Sequence, residues 1–339
     1  MNCKRIELQR VMESSNLQAM NCKTLRIRTI PHLANQLGIH ENGLIDVAEN
    51  TERYYRDFKR NVKGKDRDLV MSINPLAMLQ RRILDRILHR LPISDYAYGA
   101  IKGRSILDNA KKHSNSLFIA KFDVKSFYPS VRYQKIYDFF MGQECAPDVS
   151  RILTLLTTRK YSLPLGTSTS PMLADQVIQP LDKRICGMAA KAGLKYTRYV
   201  DDITISGSYP VEQFTDLVIE IIRQNGFKVK QSKIDVYAPG DGKERIICGV
   251  RVQNGKVSAS TDYIKTLRGE LLKAIQQSQH RDISGDFDTR NQYRGRIGFV
   301  MWLDRPEGLK LLSLYRKVKW RHLEWILYER NKSPQKTSL

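Results

Sequence analysis

The sequence lacks the features that mark membrane-spanning, zinc-binding and disulfide-rich proteins. No run of about 18 apolar residues occurs, which excludes a helix that crosses a membrane. The five cysteines are scattered without a CxxC pair, and the six histidines do not flank them at zinc-ligand spacing. We therefore expect reduced thiols in a cytoplasmic protein. Residues 1–29 are basic without a continuous apolar stretch, so we expect no secretory signal.

Acidic residues are scarce relative to basic ones. The 339 residues include 35 Asp and Glu against 57 Lys and Arg, which gives a net charge of +22. This excess is larger than solubility requires and favours a polyanion as the partner. Hydrophobic residues still make up 41% of the chain, which is enough for a globular core. At roughly 150 residues per domain, the length predicts two or three packed units.

Two short helices are predicted within residues 30–49, on either side of Gly38. The pair resembles a helix-turn-helix, which is the basis for a DNA-binding interpretation. We favour simple packing of two helices, because the second one carries the acidic Asp46 and Glu49.

Basic side chains are concentrated in the next part of the chain. They crowd residues 53–67 and lie along one side of the amphipathic stretch 75–91. The apolar stripe of that stretch is predicted to be core. Arg81 and Arg82 lie off the stripe, on a face that is either solvated or bound to nucleic acid.

Strands and helices alternate in the middle of the chain. Apolar runs predict the strands, and apolar residues at helical spacing predict the helices. Ser170 is the expected N-cap of the longest helix, with Pro171 in its first turn. The predicted strands are 117–122, the hairpin 195–206, 229–236 and 246–252. The predicted helices are 130–141, 170–188, 211–225, 264–275, 293–303 and 309–327.

The last 84 residues, after Gly255, change in character. They hold 17 basic and 9 acidic side chains, a net charge of +8, and three of the amphipathic stretches. We expect a separate basic helical bundle in this part of the chain.

Paired carboxylates give the strongest chemical signal. Asp201 and Asp202 lie at the tip of the predicted hairpin, and Asp123 ends an apolar strand. Adjacent carboxylates repel each other and therefore favour a bound cation. If the strands are neighbours, Asp123 and Asp201 converge at one sheet edge, where carboxylate oxygens suit Mg²⁺. Val200, before this pair, is β-branched in a tight turn, a local misfit of the kind that functional sites tolerate.

Several motifs, in the same order along the chain, resemble those of reverse transcriptases. Residues 122–130 (FDVKSFYPS) resemble the first palm motif of that family, residues 163–171 (LPLGTSTSP) its LPQGxxxSP motif, and residues 199–202 its YxDD box. The resemblance implies two Mg²⁺ ions at the site, with the three aspartates as the catalytic residues. The metal ligands that it implies are Asp123, Val124, Asp201 and Asp202.

The same resemblance implies which residues bind the dNTP. Arg67 resembles the fingers arginine that grips the triphosphate, and Tyr128 stands at the position of the steric gate against a ribose 2′-OH. Leu165 and Gly166 belong to the motif under the incoming nucleotide, and Lys233 lies near a lysine that assists the leaving pyrophosphate. From the residues alone, Tyr128 is alternatively core and Arg67 a solvated loop charge.

A second set of motifs resembles the bacterial retron subfamily. Asn109 and His113 belong to an NAxxH element, and residues 50–58 resemble the opening of retron enzymes. The alternative for Asn109 and His113 is a structural pair at i and i+4 on one helix.

The resemblance covers roughly residues 30–330 and implies an α+β right-hand polymerase fold. It has a short N-terminal helical extension and a helical thumb, without a fused RNase H domain. The implied domains are the extension 1–50, fingers 51–118 and 131–168, palm 119–130 and 169–255, and thumb 256–339. The residues implied to bind nucleic acid are Arg81, Arg82, Asn109, His113, Arg316, Lys317, Lys319 and Arg321. Phosphate contacts of this kind predict an affinity that falls steeply with salt.

The implied activity is RNA-directed DNA synthesis by two-metal nucleotidyl transfer. A retron enzyme would use a structured noncoding RNA as template, with a guanosine 2′-OH of that RNA as primer, and would make a short RNA–DNA molecule with a 2′–5′ branch. It would work with a cognate effector protein in anti-phage defence and would need no membrane.

Two alternatives stay open at this point. One is a non-retron defence-associated or group II intron-like reverse transcriptase with a different template and priming mode. It is favoured by Leu165 in place of the usual Gln, and by residues 248–250 (CGV), which stand where retrons have VTG. Val200 also departs from the usual YADD. The other is a catalytically silent RNA-binding scaffold, which the intact aspartates disfavour.

Overall fold

The computed structural model describes residues 24–62, 65–279, 289–321 and 323–324. The helices are α1 Ile30–Leu37, α2 Glu41–Glu49, α3 Leu76–Arg86, α4 Ile106–His113, α5 Phe127–Ser130, α6 Tyr133–Gly142, α7 Pro147–Thr157, α8 Ser170–Lys191, α9 Thr215–Gln224, α10 Thr261–Gln277, α11 Arg290–Leu303 and α12 Arg305–Lys317. The strands are β1 Tyr55–Val62, β2 Lys65–Ser72, β3 Phe118–Asp123, β4 Lys195–Tyr199, β5 Asp202–Gly207, β6 Asp235–Tyr237, β7 Ile246–Ile247, β8 Val250–Gln253 and β9 Lys256–Ala259. In the described part of the chain, no helix is long and apolar enough to cross a membrane. The end of the last predicted helix, residues 325–327, lies outside the described residues.

The chain is divided into two compact units, each assembled from separate segments. Unit 1 takes Met1–Lys102, Phe122–Ile203 and Gln213–Ile234; unit 2 takes Gly103–Lys121, Thr204–Glu212 and Asp235–Leu339. One sheet has the strand order β4-β5-β3-β6. Its strands β3 and β5 contribute residues to both units.

In unit 1 the two predicted helices around Gly38 are present. The hydroxyl of Thr29 accepts a hydrogen bond from the backbone N–H of His32 at the start of α1, and Gly38 ends that helix with φ 62°. Glycine adopts this left-handed conformation without a steric penalty. Arg82 on α3 donates to the carbonyls of Leu37 and Gly38 at 2.8 and 2.9 Å. Arg82 thus has partners inside the protein, at the end of α1.

The sequence does not predict the β1–β2 hairpin. Residues 55–62 pair with residues 65–72 in antiparallel register. Charged residues occupy eight of these 16 positions, so no alternating apolar face marks the strands. Buried Gln80 anchors the base of the hairpin, because it donates to the Tyr55 hydroxyl at 3.1 Å and to the Leu156 carbonyl at 2.9 Å.

Unit 2 is built on one apolar core. Strands β7, β8 and β9 form an antiparallel sheet, and Leu267 of α10, Val300 of α11 and Leu311 of α12 are fully buried in the same cluster. These helices confirm three amphipathic segments in this part of the chain. The third one begins earlier than predicted, after Asp304, whose side chain accepts from the N–H of Glu307. It is interrupted after Lys317, and residues 320, 321, 323 and 324 are helical again.

Two strand predictions are wrong in their extent. Residues 246–252 form two strands rather than one, because Cys248 and Gly249 have φ of 49° and 83° and reverse the chain. In the segment 229–236, Gln231–Lys233 form a 3₁₀ turn, so strand β6 starts only at Asp235. This turn places Lys233 in the candidate site described below.

Several helix starts also differ from the prediction; the helix predicted at residues 211–225, for example, begins at Thr215 after a 3₁₀ turn. In residues 130–141 the helix begins only at Tyr133, after the separate turn α5. Thr169, not Ser170, holds the N-cap position of α8. The Ser170 hydroxyl instead shares a 2.8 Å hydrogen bond with that of Thr167.

Candidate active site

Asp123 and Asp201 lie side by side in unit 1. Asp123 ends β3, while Asp201 lies in the two-residue turn between β4 and β5, and Asp202 is the first residue of β5. The backbone N–H of Val124 donates to the Asp201 carbonyl at 3.0 Å. This bond ties the end of β3 to the turn, so residues 78 positions apart in the sequence share one edge of the sheet.

The electrostatics of this edge favour a bound cation. Burial, and then the negative charge of Asp123, raise the pKa of Asp201 above its usual value of 3.8, while the charges of Lys233 and Arg67 oppose this rise. The ammonium of Lys233 binds Oδ2 of Asp123, a side chain that is mostly buried. Lys233 therefore supplies the positive charge that the carboxylates need.

The donor set fits magnesium. Within the described residues, no three His, Cys, Asp or Glu side chains are gathered into a closed group of ligands. Magnesium is usually held by one or two carboxylates together with water and substrate phosphates. Asp123 and Asp201 present hard oxygen ligands of that kind, and the Lys233 ammonium stands in for a cation at Asp123.

The turn that carries Asp201 is strained. Val200 has φ 58°, a left-handed conformation that β-branched residues rarely adopt. Such a conformation costs on the order of 1–3 kcal/mol and persists only where the surroundings enforce it. The local misfit predicted from the sequence is present.

Arg67 brings positive charge within electrostatic reach of the carboxylates. It lies on β2 directly opposite Arg60 on β1, and both side chains are exposed. Like charges opposite each other destabilise a strand pair and are relieved when an anion binds between them. The charge of Arg67 also opposes the rise in the pKa of Asp201.

Gly166 passes very close to the strand that carries Arg67. The N–H of Val70 donates to the carbonyl of Leu165 at 2.8 Å. Gly166 has φ 120°, and a Cβ at that position would lie 2.6 Å from the Val70 carbonyl oxygen. Only glycine fits there without displacing the backbone of β2.

Gly166→Ala is therefore expected to lower the free energy of unfolding by about 1–3 kcal/mol, measured by urea titration. The matched control is Gly187→Ala on α8, where an added Cβ meets nothing within 4 Å. It is expected to raise stability by roughly 0.5–1 kcal/mol, as alanine does inside a helix. An unchanged urea midpoint for Gly166→Ala would contradict the close approach to β2.

Tyr128 is half-buried in the same region. Burial, and then the negative charge of Asp201, raise its pKa to about 12, with Arg198 opposing the shift. The neighbouring Phe127 is buried and packs on Phe227, with ring centroids 6.0 Å apart. Tyr128 is thus the aromatic side chain of α5 that the Asp201 carboxylate acts on, while Phe127 belongs to the core.

The other basic residues singled out from the sequence differ in their surroundings. Arg81 is exposed and pairs with Asp85 on the same helix at 2.7 Å. Four exposed basic side chains alternate with buried Val318 and Trp320 near the end of the described part of unit 2. These four are Arg316, Lys317, Lys319 and Arg321.

Asn109 and His113 lie inside unit 2. Both are 0% exposed. Nδ1 of His113 is 2.6 Å from Oγ of Ser206, and the Asn109 amide donates to Sγ of Cys248 at 3.5 Å. This burial corrects the prediction that the two side chains contact nucleic acid, because neither has exposed surface to offer. The NAxxH element and the CGV segment contact each other instead.

Ser206→Ala is expected to lower the free energy of unfolding by about 1–3 kcal/mol. Ser206 bonds the buried His113 ring and the buried hydroxyl of Ser116, the latter at 2.8 Å, and alanine removes both bonds. Ser208→Ala, two residues on and exposed, is the control and should stay within about 0.5 kcal/mol of the parent. Thermal unfolding measures both, and equal midpoints for the two variants would contradict the buried network.

The sequence does not point to Arg198, Asp175 and Asp182, which the structure places directly behind the turn. Arg198 binds Asp175 at 2.7 Å and Asp182 at 2.8 Å, and all three side chains are buried. The sequence holds a signal for this pairing, because the three charged residues lie on the apolar sides of α8 and β4. Charged side chains are stable in a core only when they are paired.

Comparison with known proteins places these features in a family. The model of the family described as reverse transcriptase (RNA-dependent DNA polymerase) matches residues 65–274. The retron Ec86 reverse transcriptase of Escherichia coli is 28% identical over 281 residues, which cover 82% of this chain and 85% of that protein. The retron Mx65 reverse transcriptase of Myxococcus xanthus is 30% identical over 264 residues, 72% of this chain and 60% of that protein.

A solved structure is similar as well. The structure of telomerase from Candida albicans in complex with a fragment of telomeric RNA has a TM-score of 0.45 and 10% identity, and covers 76% of this chain and 56% of that one. The matched family model spans more than half of the chain, and the curated relatives compared are retron enzymes. The chain therefore belongs to the reverse transcriptases, is of the retron type, and has the α+β fold of the right-hand polymerases.

Proposed function

We propose that this enzyme adds dNTPs to a growing DNA strand at the site formed by Asp123, Asp201 and Asp202. The approach of Asp201 to Asp123, at the ends of neighbouring strands, is the observation that carries the proposal. Two Mg²⁺ ions are the proposed cofactor, held by the three carboxylates and the backbone carbonyl of Val124. When bound, magnesium would activate the 3′-hydroxyl and stabilise the leaving pyrophosphate.

Lys233 is proposed to bind first Asp123 and then the departing pyrophosphate. In the structure its ammonium neutralises Asp123. An ammonium released from Asp123 can donate a hydrogen bond or a proton to a departing pyrophosphate. Its 3₁₀ turn is attached to the end of β3, because the N–H of Lys230 donates to the Asp123 carbonyl at 2.9 Å.

Arg67 and its cross-strand neighbour Arg60 are proposed to bind the triphosphate. Their facing guanidinium groups suit a multiply charged anion, and arginine binds phosphate oxygens in a bidentate way. Leu165 and Gly166 are proposed to lie under the incoming nucleotide, since their backbone joins β2. Tyr128 is proposed as the steric gate, because it is within electrostatic reach of Asp201.

The nucleic acid is proposed to bind through the exposed basic residues. The group at residues 316–321 and Arg81 supply positive charge that suits a phosphate backbone. The division into fingers, palm and thumb at the predicted boundaries remains part of this proposal. So do the partners: a structured noncoding RNA that is template and primer, its joined DNA product, and an effector protein in anti-phage defence.

Incorporation of labelled dNTPs on a primed RNA template tests the site. We expect DNA synthesis that requires Mg²⁺ and stops with EDTA. Synthesis that proceeds in EDTA would contradict the metal assignment.

The RNA partner is tested by sequencing the nucleic acid that co-purifies with the protein from its native host. We expect one RNA species joined to one short DNA. A mixture of unrelated cellular RNAs would contradict the proposed template and priming mode.

A further inference from the structure

The turn between β4 and β5 is held from behind by Arg198. Its side chain is 2% exposed, and Nη1 donates to the carbonyl of Val200 at 3.1 Å. Asp182 accepts from Nε and Nη2, both at 2.8 Å, and Asp175 accepts from Nη2 at 2.7 Å. The Tyr196 hydroxyl donates to the same Asp182 at 2.6 Å. Two buried carboxylates therefore fix the plane of the guanidinium that reaches the turn.

The backbone around Arg198 is fixed as well. Its N–H donates to the Tyr96 carbonyl and its carbonyl accepts from the N–H of Tyr98, both at 2.8 Å. Gly99, which follows Tyr98, approaches the turn very closely. A Cβ at Gly99 would lie 2.5 Å from Cγ2 and 2.6 Å from N of Val200. Gly99 thus limits the movement of Val200 while Arg198 holds its carbonyl.

This support acts on a residue in an unfavourable conformation. At φ 58°, Val200 would return to an extended conformation if its carbonyl were released. That change rotates the peptide leading into Asp201 and redirects the carboxylate. A buried ionic network is seldom better for stability than apolar packing of the same volume, so its presence behind this turn calls for a local reason.

We infer that Arg198 is a positioning residue: its guanidinium, oriented by Asp182 and Asp175, holds Val200 in the left-handed conformation and so sets the direction of Asp201. The inference rests on the proposed function, because it takes Asp201 to be a catalytic carboxylate. Lysine keeps the charge but lacks the planar fork that serves the carboxylates and the carbonyl together.

The test compares Arg198→Lys, Val200→Gly and the double variant. Arg198→Lys is expected to reduce kcat of primer extension by about 10–100-fold with little change in KM for dNTP. Adding Val200→Gly is expected to restore most of kcat, since glycine adopts positive φ without help from arginine. The affinity for Mn²⁺, measured by electron paramagnetic resonance, should fall in Arg198→Lys and recover in the double variant.

Arg159→Lys is the matched control. Arg159 is also held by two acidic residues, Glu52 in the 3₁₀ turn before β1 and Asp57 on β1. If Arg159→Lys lowers kcat or Mn²⁺ affinity, adding Val200→Gly should not restore it. The inference is overturned if Arg198→Lys keeps the parent kcat and Mn²⁺ affinity, or if its loss is not rescued by Val200→Gly.

Misfolding of the variant and failure of the proposed function can both be distinguished from failure of the inference. If Arg198→Lys does not fold, Asp182→Asn is measured in the same way, because it keeps the size of the side chain and removes one of the two carboxylates that orient the guanidinium. If the parent protein shows no Mg²⁺-dependent synthesis, the proposed function fails, and the Mn²⁺ series alone decides the role of Arg198.

Discussion

Asp201→Asn is expected to reduce dNTP incorporation on the order of 10³-fold, the scale seen when a group that stabilises transition-state charge is removed. The same substitution should not lower the free energy of unfolding of the metal-free protein. The pKa of Asp201 is raised by burial and by Asp123, so its favourable contribution is present below the unfolded-state pKa and is lost as pH rises through the folded-state pKa. At neutral pH in EDTA, the asparagine variant should therefore be at least as stable as the parent.

Primer extension and urea unfolding in EDTA measure the two effects. Asp235→Asn is a suitable control, because Asp235 is an exposed carboxylate on β6 that pairs with Lys121 at 3.2 Å. Mg²⁺ should raise the thermal midpoint of the parent and of the control, and have little effect on Asp201→Asn. A variant that keeps more than about a tenth of the parent activity, against the expected loss, would remove Asp201 from the proposed metal ligands.

Tyr128→Ala is expected to reduce the preference for dNTPs over ribonucleotides by about 10–200-fold, the range for a small steric difference in a pocket. The ring is half-buried and lies within electrostatic reach of Asp201. Its removal opens room for a 2′-OH beside the carboxylates. The ratio of kcat/KM for dGTP and GTP measures the effect.

Tyr128→Phe separates the ring from its hydroxyl. It keeps the aromatic volume, so the preference for dNTPs should stay near that of the parent. Loss of selectivity in the phenylalanine variant would assign discrimination to the hydroxyl. Unchanged selectivity in Tyr128→Ala would place the gate at another residue.

Local patterns predict the parts of the fold that local interactions determine. Helices α10 and α11 follow from apolar residues at helical spacing, and the turn at Gly38 follows from the need for a left-handed residue. The β1–β2 hairpin has no such signal, because its exposed faces are both charged. The reversal at Cys248 is also hidden, since a non-glycine residue there adopts positive φ.

The candidate site shows the same division. Asp123, Asp201 and Lys233 are found from motif order, because each lies within a short and characteristic segment. The buried pairing of Arg198 with Asp182 depends on the packing of α8 against β4, which no single segment reveals. His113 is likewise ambiguous in the sequence, where a polar residue on an amphipathic helix fits a surface as well as a core.

The division of the chain into segments also bears on its synthesis by the ribosome. The last residue of unit 1 is Ile234, whereas unit 2 takes its largest segment from Asp235–Leu339. At roughly 5–20 residues per second, that segment takes about 5–20 s to translate. During this interval the nascent chain already has every residue of the carboxylate site. Ile119 of β3, however, belongs to an apolar cluster with Leu267, Val300 and Leu311, which are still to be made. Co-translational folding can therefore complete the carboxylate site first, while the apolar side chains of β3 stay uncovered and exposed to aggregation or to a chaperone.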